Sequence, residues 1–318
     1  MAKAMINTAM HTFSPNLFII GAPKAGTTTL ASWLSSHAEI FWSIPKEPYH
    51  FAADFPGQRD HYGFSSREDY LFLYDQAAAR HARYRGDGST TYLYSDRAVP
   101  AILDMDPSAR FIVSVRNPVD LLPSYHRTQV VVLNEDRVDF AEAWHGSLEG
   151  RPPGVQPLDR VLVDYSRIGK QGAAIQQLLT RVSRNQVHFI VFDDIVSAPR
   201  EVWLRLCADL DLDGDSVAQF SATNASNKRP RYPLIRRLTH RPPRFAARPL
   251  AHVRQWSRTT SIPGVRRLKG SLWAAAPAPA ISDQLSRELA EYFSADVSLL
   301  SNLLGRDLSR WSRPRIKD

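Results

Sequence analysis

The stretch "LFIIGAPKAGTTTL", Leu17–Leu30, limits the possible folds more than any other part of the chain. An unbroken apolar run enters Gly21, passes a short turn and leaves through Gly26 and three threonines. The apolar run suits a buried strand, and Thr27–Ser36 reads as a helix with Leu30, Trp33 and Leu34 on its inner face. A glycine-rich turn between strand and helix exposes convergent backbone N–H groups, and the helix start adds partial positive charge. Gly21 and Gly26 keep the spacing of the nucleotide pattern G-x-x-x-x-G-K-[ST], but Thr27 stands where its lysine belongs. The lysine, Lys24, has moved inside the turn. The alternative is an ordinary strand-to-helix turn, against which the coincidence of glycines, lysine and threonines argues.

Further along, Arg110–Val115 and Val187–Phe192 are apolar runs of strand length, and Arg83–Gly86 is a shorter candidate. Helices are expected over Glu68–Ala79, Arg97–Met105, from Pro118 through Tyr125, over Ile168–Arg181 and Arg200–Leu210, and over Ser282–Leu304. Strands with near-continuous apolar character alternating with helices imply an α/β chain, a central parallel sheet flanked by helices in three layers. Residues 1–16 read as a disordered or extended N-terminus and 17–318 as one domain. An Arg/Pro-rich segment at about 228–275 is its exception.

That exception shows in the charge. The chain carries a net +8. Ser216–Ser282 holds thirteen Lys or Arg and no acid, so the rest totals 8 − 13 = −5. Such a segment suits an acidic glycan, an anionic surface or a phosphorylated ligand; it contains no nucleic-acid reading module, and Pro230, Pro233, Pro242, Pro243 and Pro249 exclude one continuous basic helix. Cys207 is the only cysteine, which rules out an internal disulfide and points to a reducing, cytoplasmic setting. No run reaches the roughly 18 apolar residues of a spanning helix, and the first residues do not read as a secretory leader.

Two more stretches bear on chemistry. In "RFIVSVRNPVDLLPSYHR", Arg116 falls at the C-terminal tip of a strand, the edge where α/β sheets bind ligands. Ser124 lies about two helical turns further on. In "IPKEPYHF", prolines bracket Lys46 and Glu47 and forbid a helix interior. Two acidic runs are decoys. "DMD", Asp104–Asp106, precedes Pro107 as a helix end, and "DLDLDGD", Asp209–Asp215, has Phe220 where a calcium loop needs its twelfth-position Glu. No His or Cys spacing suggests a metal site.

"PKAGTTTL" after the first strand together with "SVRNPVDLLPSY" after a later one resembles the sulfotransferases that use 3′-phosphoadenosine 5′-phosphosulfate, most closely the carbohydrate, heparan-like branch and its bacterial relatives. "KEPYHF", "SRIGKQGAAIQQLL", "VHFIVFDDI" and "LLGRDLSRW" extend the similarity over most of the chain. The resemblance implies that Pro23, Lys24, Ala25, Gly26, Thr27, Thr28 and Thr29 hold the 5′-phosphosulfate end, with Lys24 stabilising the leaving phosphate. Arg116 and Ser124 would hold the 3′-phosphate, and Lys228 and Arg229 would approach the adenosine. Glu47 would be the general base, with Lys46 beside it as a sulfonate contact on the substrate. Apart from the resemblance, Ser89–Tyr92 in "GDGSTTYLY" reads either as a lining of the acceptor side or as a plain loop. Relatives often read K-E-P-H-F-F; here Tyr49 takes the histidine's place and His50 follows, so His50 is a second catalytic candidate. The implied activity is sulfonate transfer to a hydroxyl of a carbohydrate or small metabolite, without a metal. A P-loop small-molecule kinase and a non-catalytic basic binding protein are the alternatives.

Overall fold

The computed structural model describes residues 13–216, 220, 228–230, 273–275 and 281–313. The chain divides into two compact units. The first comprises the residues up to Phe55 with Tyr62–Arg116 and Gln177–Thr223; the second comprises Pro56–His61, Asn117–Gln176 and Asn224–Asp318.

The first unit is built on five parallel strands, β1 (Leu17–Gly21), β2 (Ile40–Trp42), β3 (Tyr84–Asp87), β4 (Arg110–Val115) and β5 (Val187–Val191), in the order β2-β3-β1-β4-β5. The expected central parallel sheet is therefore present, with β1 and β4 at their expected bounds. Central β1 is buried throughout, which is why it reads as an unbroken apolar run. Its side chains alternate between the two faces. Leu17 and Ile19 join a core with Leu30, Trp33 and Leu34 of α1 (Thr27–Leu34) and with Val202, Trp203, Leu206 and Leu210 of the helix Pro199–Leu210. Phe18 faces the other way, stacked on Phe111 at 5.9 Å and edge-on to Phe51 at 6.0 Å.

β2 leaves no signal in the sequence, because its three residues are too few to show a period. It fits against β3 only because Gly86 lacks a side chain: a Cβ there would lie 2.2 Å from the Trp42 ring. The helix expected over Glu68–Ala79 is two, Arg67–Phe72 and Ala77–His81. The break buries Tyr74, whose hydroxyl donates to the Gly86 carbonyl at 3.1 Å. "DLDLDGD" is a helix end, with Asp211 as a left-handed C-cap and its carboxylate paired to Arg83 at 2.7 Å.

In the second unit, Pro118 opens a helix that runs to Val131, and the Asn117 side chain accepts from the Val119 N–H. The segment expected as one helix from Ile168 breaks at Lys170 into Tyr165–Gly169 and Gln171–Leu179. The start of Gln171–Leu179 is held by Asp296, whose carboxylate accepts from the Gly172 and Ala173 N–H groups at 2.8 Å each. The single helix expected at 282–304 is likewise corrected to two, Asp283–Tyr292 and Ser294–Leu304. Between them Phe293 leaves helical geometry and buries its ring 5.7 Å from that of Trp144. The ends of the basic segment pair as antiparallel strands, β6 (Lys228–Pro230) with β7 (Trp273–Ala275). Residues 231–272 lie outside those described. Among the described residues no helix is long and apolar enough to cross a membrane.

Candidate active site

The turn after β1 has the geometry its residues suggest. Lys24 and Gly26 both take positive φ, 67° and 82°. For Gly26 this conformation costs little, and it is the N-cap of α1 with no side-chain cap hydrogen bond. The N–H groups of the first turn have no partner within the helix. Thr27 and Thr29 are buried and Thr28 is exposed; Lys24 is half-buried.

Arg116, at the tip of β4 beside β1, reaches this turn. Its Nη1 donates to the Lys24 carbonyl at 2.9 Å, and its guanidinium lies 4.4 Å from the centre of the Phe192 ring. Phe192 opens the helix after β5 and also lies beneath Gly26, where an added Cβ would stand 3.1 Å from the ring and 2.8 Å from Ile195. β5 therefore ends at Val191, one residue short of its expected end, and Phe192 is a platform for both the arginine and the turn.

"KEPYHF" lies against the same turn. Lys46 Nζ donates to Thr27 Oγ1 at 3.3 Å, to Glu47 Oε1 at 2.6 Å and to the Gly88 carbonyl at 3.2 Å. An ammonium has three N–H donors, so a sulfonate bound by Lys46 would have to displace one of these acceptors. The other Glu47 oxygen accepts from the Tyr49 hydroxyl. Tyr49 is buried, with φ 59°, and its N–H donates to Ser89 Oγ at 2.9 Å. Burial, then the Glu47 carboxylate, pushes the Tyr49 phenol well above the ordinary tyrosine range, so it stays protonated and donates.

His50 stacks on Tyr70, the ring centroids 4.2 Å apart and nearly parallel. Its Nδ1 is 2.7 Å from the Phe64 carbonyl; a carbonyl can only accept, so Nδ1 carries the hydrogen. Beneath both residues lies Asp87, completely buried at the tip of β3. It accepts from Ser89 N and Oγ at 3.0 and 2.6 Å, from Tyr70 at 2.9 Å and from Tyr92 at 3.1 Å. Burial pushes its carboxyl up to about 6 while those hydrogen bonds pull the other way.

Arg116 thus contacts Lys24, and Lys46 contacts Thr27 and Glu47, two groups that meet on the one turn Lys24–Thr27. Ser89 is 0% exposed and its hydroxyl serves both Asp87 and Tyr49. Ser124 is buried in the helix Pro118–Val131 of the second unit. Lys228 and Arg229 are strand residues of β6 in that unit. Tyr49, Asp87 and Phe192 were missed as site residues. The signal for Asp87 was an acid beside a glycine at a strand tip, in "GDGSTTY", and for Phe192 an aromatic at the end of β5.

A strand–turn–helix whose helix start has no side-chain cap, with three hydroxyls, a loop lysine and a strand-tip arginine, belongs to a P-loop-like α/β fold. Among the described residues no group of three or more His, Cys, Asp or Glu is placed to hold a metal ion.

Residues 15–96 match the model of the sulfotransferase family, so the resemblance read from the sequence is borne out over the stretch holding the glycine turn and "KEPYHF". Carbohydrate sulfotransferase 15 of Homo sapiens is 31% identical over 192 residues, and its Mus musculus counterpart 30% over 194. Each alignment covers 48% of this chain and 32% of the relative, so the match spans about a third of the relatives' length. A sulfotransferase structure from Alicyclobacillus acidocaldarius superposes with a TM-score of 0.65 at 23% identity, covering 94% of this chain and 99% of that one. That likeness supports the fold: a parallel sheet flanked by helices, as in the P-loop-like sulfotransferases.

Proposed function

We propose that the chain is a sulfotransferase that moves a sulfonate from 3′-phosphoadenosine 5′-phosphosulfate to a hydroxyl of a carbohydrate or small metabolite. The observation that carries this reading is the 2.9 Å contact of Arg116 with the Lys24 carbonyl, which brings a strand-tip guanidinium onto a turn lacking the usual P-loop lysine. With no magnesium–triphosphate to serve, Lys24 and the N–H groups of α1 would neutralise charge on the departing phosphate. Glu47 would take the acceptor's proton as its oxygen attacks sulfur in line and the sulfur–oxygen bond to the phosphate breaks. Sulfonate transfer needs little covalent help, so positioning and charge stabilisation supply most of the rate, as in phosphoryl transfer. Glu47 ranks first as base. His50 stays a second candidate through Nε2 alone, because Nδ1 is committed. The lone buried Cys207 fits a cytoplasmic, reducing setting.

The test is calorimetry with 3′,5′-diphosphoadenosine followed by transfer of label from ³⁵S-labelled donor across hydroxylated acceptors. Nucleotide binding without magnesium, and transfer lost in Lys24→Ala, are expected. Magnesium-dependent ATP binding with no affinity for 3′,5′-diphosphoadenosine would revive the kinase alternative. Binding of polyanions without nucleotide would favour the non-catalytic one.

A further inference from the structure

We infer that Tyr49 is the positioning residue of the candidate base: its hydroxyl holds one Glu47 oxygen while Lys46 holds the other, fixing the carboxylate toward the acceptor. The inference rests on the reading of Glu47 as the base. Four observations carry it. The Tyr49 hydroxyl donates to Glu47 Oε2 while Lys46 Nζ donates to Oε1, so both oxygens are tethered from different directions. The backbone at Tyr49 takes φ 59°, a conformation that a bulky side chain keeps only where its surroundings enforce it. What enforces it is visible: the Tyr49 N–H donates to Ser89 Oγ, Ser89 Oγ donates to Asp87, and the ring packs edge-on against Tyr62 at 4.5 Å. Finally, Tyr49 is 4% exposed, so the donor side of the contact is shielded from water, while the Glu47 side chain is 27% exposed and open to an acceptor.

The arrangement does specific work. A carboxylate on a glutamate side chain has three rotatable bonds, and a base must sit within hydrogen-bond reach of the proton it takes. Lys46 alone is a point charge on a flexible stem and does not fix the plane of the carboxylate. A second, rigid donor does, and leaves the remaining lone pairs for the acceptor hydroxyl. Tyr49 keeps its proton throughout; the acceptor's proton goes to Glu47.

The experiment compares wild type, Tyr49→Phe, Glu47→Gln and the double variant on the full chain. Tyr49→Phe removes one oxygen and keeps the ring. We expect kcat to fall about 10- to 100-fold, the scale of a misplaced reacting group, with donor KM and 3′,5′-diphosphoadenosine affinity unchanged. The double variant should be no slower than Glu47→Gln alone, because the two changes act on one contact. Wild-type kcat in Tyr49→Phe, multiplicative losses in the double variant, or a loss of nucleotide binding or thermal stability would each overturn the inference. Full turnover in Glu47→Gln would instead remove the base itself. One measurement needs no acceptor: the protected Tyr49 hydroxyl proton, identified in NMR spectra by its loss in Tyr49→Phe, should shift in Glu47→Gln. A resonance unmoved by that change would show that Tyr49 does not hold Glu47, whatever the enzyme acts on.

Discussion

The glycine turn and the proline-bounded loop touch through Lys46 and Thr27, yet opposite means hold them in shape. Gly26 and Lys24 bend the turn by positive φ angles between a central strand and the helix it feeds. The neighbouring β4 adds two side-chain clamps, Ser114 and Arg116 donating to the Ala25 and Lys24 carbonyls. The loop is set from outside. Lys46 is held by Gly88, Tyr49 by Ser89, and His50 by Phe64 and Tyr70, all distant in sequence. In the proposed reaction the turn grips the donor and the loop activates the acceptor. A locally encoded cradle suits a donor whose phosphates do not vary. A loop tethered to its surroundings leaves the acceptor side open to change without disturbing the cradle.

The largest test of this division crosses the two regions. Glu47→Gln should lower turnover about 10²- to 10⁴-fold, the usual range for losing a general base, and leave 3′,5′-diphosphoadenosine binding intact. Arg116→Ala should do the reverse first, weakening that binding by about 10- to 100-fold, as expected for losing charge-assisted hydrogen bonds. Calorimetry beside steady-state kinetics reads both. If Glu47→Gln weakens nucleotide binding as much as Arg116→Ala does, the two regions are one site and the division fails.

The next test probes the loop's remote support. The Asp87 carboxyl is pushed up from 3.8 to about 6 by burial, so folding favours its protonated form. The stability this contributes is whole below pH 3.8 and is lost as pH rises through about 6. Relative to Asp87→Asn, whose side chain does not titrate, the wild-type chain should lose on the order of 3 kcal/mol between pH 4 and pH 8. Urea unfolding at a series of pH values measures that difference. A difference independent of pH would mean that Asp87 does not titrate in this range.

The same contrast explains what could be read in advance. β1, β4 and the turn are legible because a central parallel strand is apolar throughout and glycine is the residue that takes positive φ at least cost, as Gly26 does. Arg116 could be placed because strand tips carry ligand contacts. Neither the contacts of Lys46 with Thr27 and Gly88 nor the stacking of His50 on Tyr70 leaves a local pattern, since each joins residues at least 19 apart in the sequence. Tyr49 looked like a departure from the expected motif, and only its hydroxyl's contact with Glu47 gave the departure a purpose. The paired helices at 283–304 were misread as one because both share an apolar face. The break at Phe293 answers to Trp144, over a hundred residues away.

If the turn is set from within, a single methyl should disturb it. Gly26→Ala forces a side chain into left-handed backbone at φ 82° and brings its Cβ to 2.8 Å from Ile195 and 3.1 Å from Phe192. The expected cost is about 2 kcal/mol in chemical unfolding, from backbone strain and overpacking together, with nucleotide affinity falling alongside. An unchanged unfolding midpoint would mean the turn relaxes freely and owes its shape to its neighbours, as the loop does.

The smallest effect separates the platform from the cradle. The Phe192 ring supports the Arg116 guanidinium at 4.4 Å and also contributes to the core around Ile195 and Trp203. Phe192→Leu keeps most of the apolar bulk and removes the aromatic face, a loss of about 0.5–1 kcal/mol for a partly exposed cation–π contact. The Arg116 contact with the Lys24 carbonyl would survive. Affinity for 3′,5′-diphosphoadenosine should therefore fall about two- to fivefold, with kcat at saturating donor unchanged. A loss as large as that of Arg116→Ala would show that the carbonyl contact cannot hold the guanidinium alone. The turn would then depend on a remote aromatic as heavily as the loop depends on Asp87.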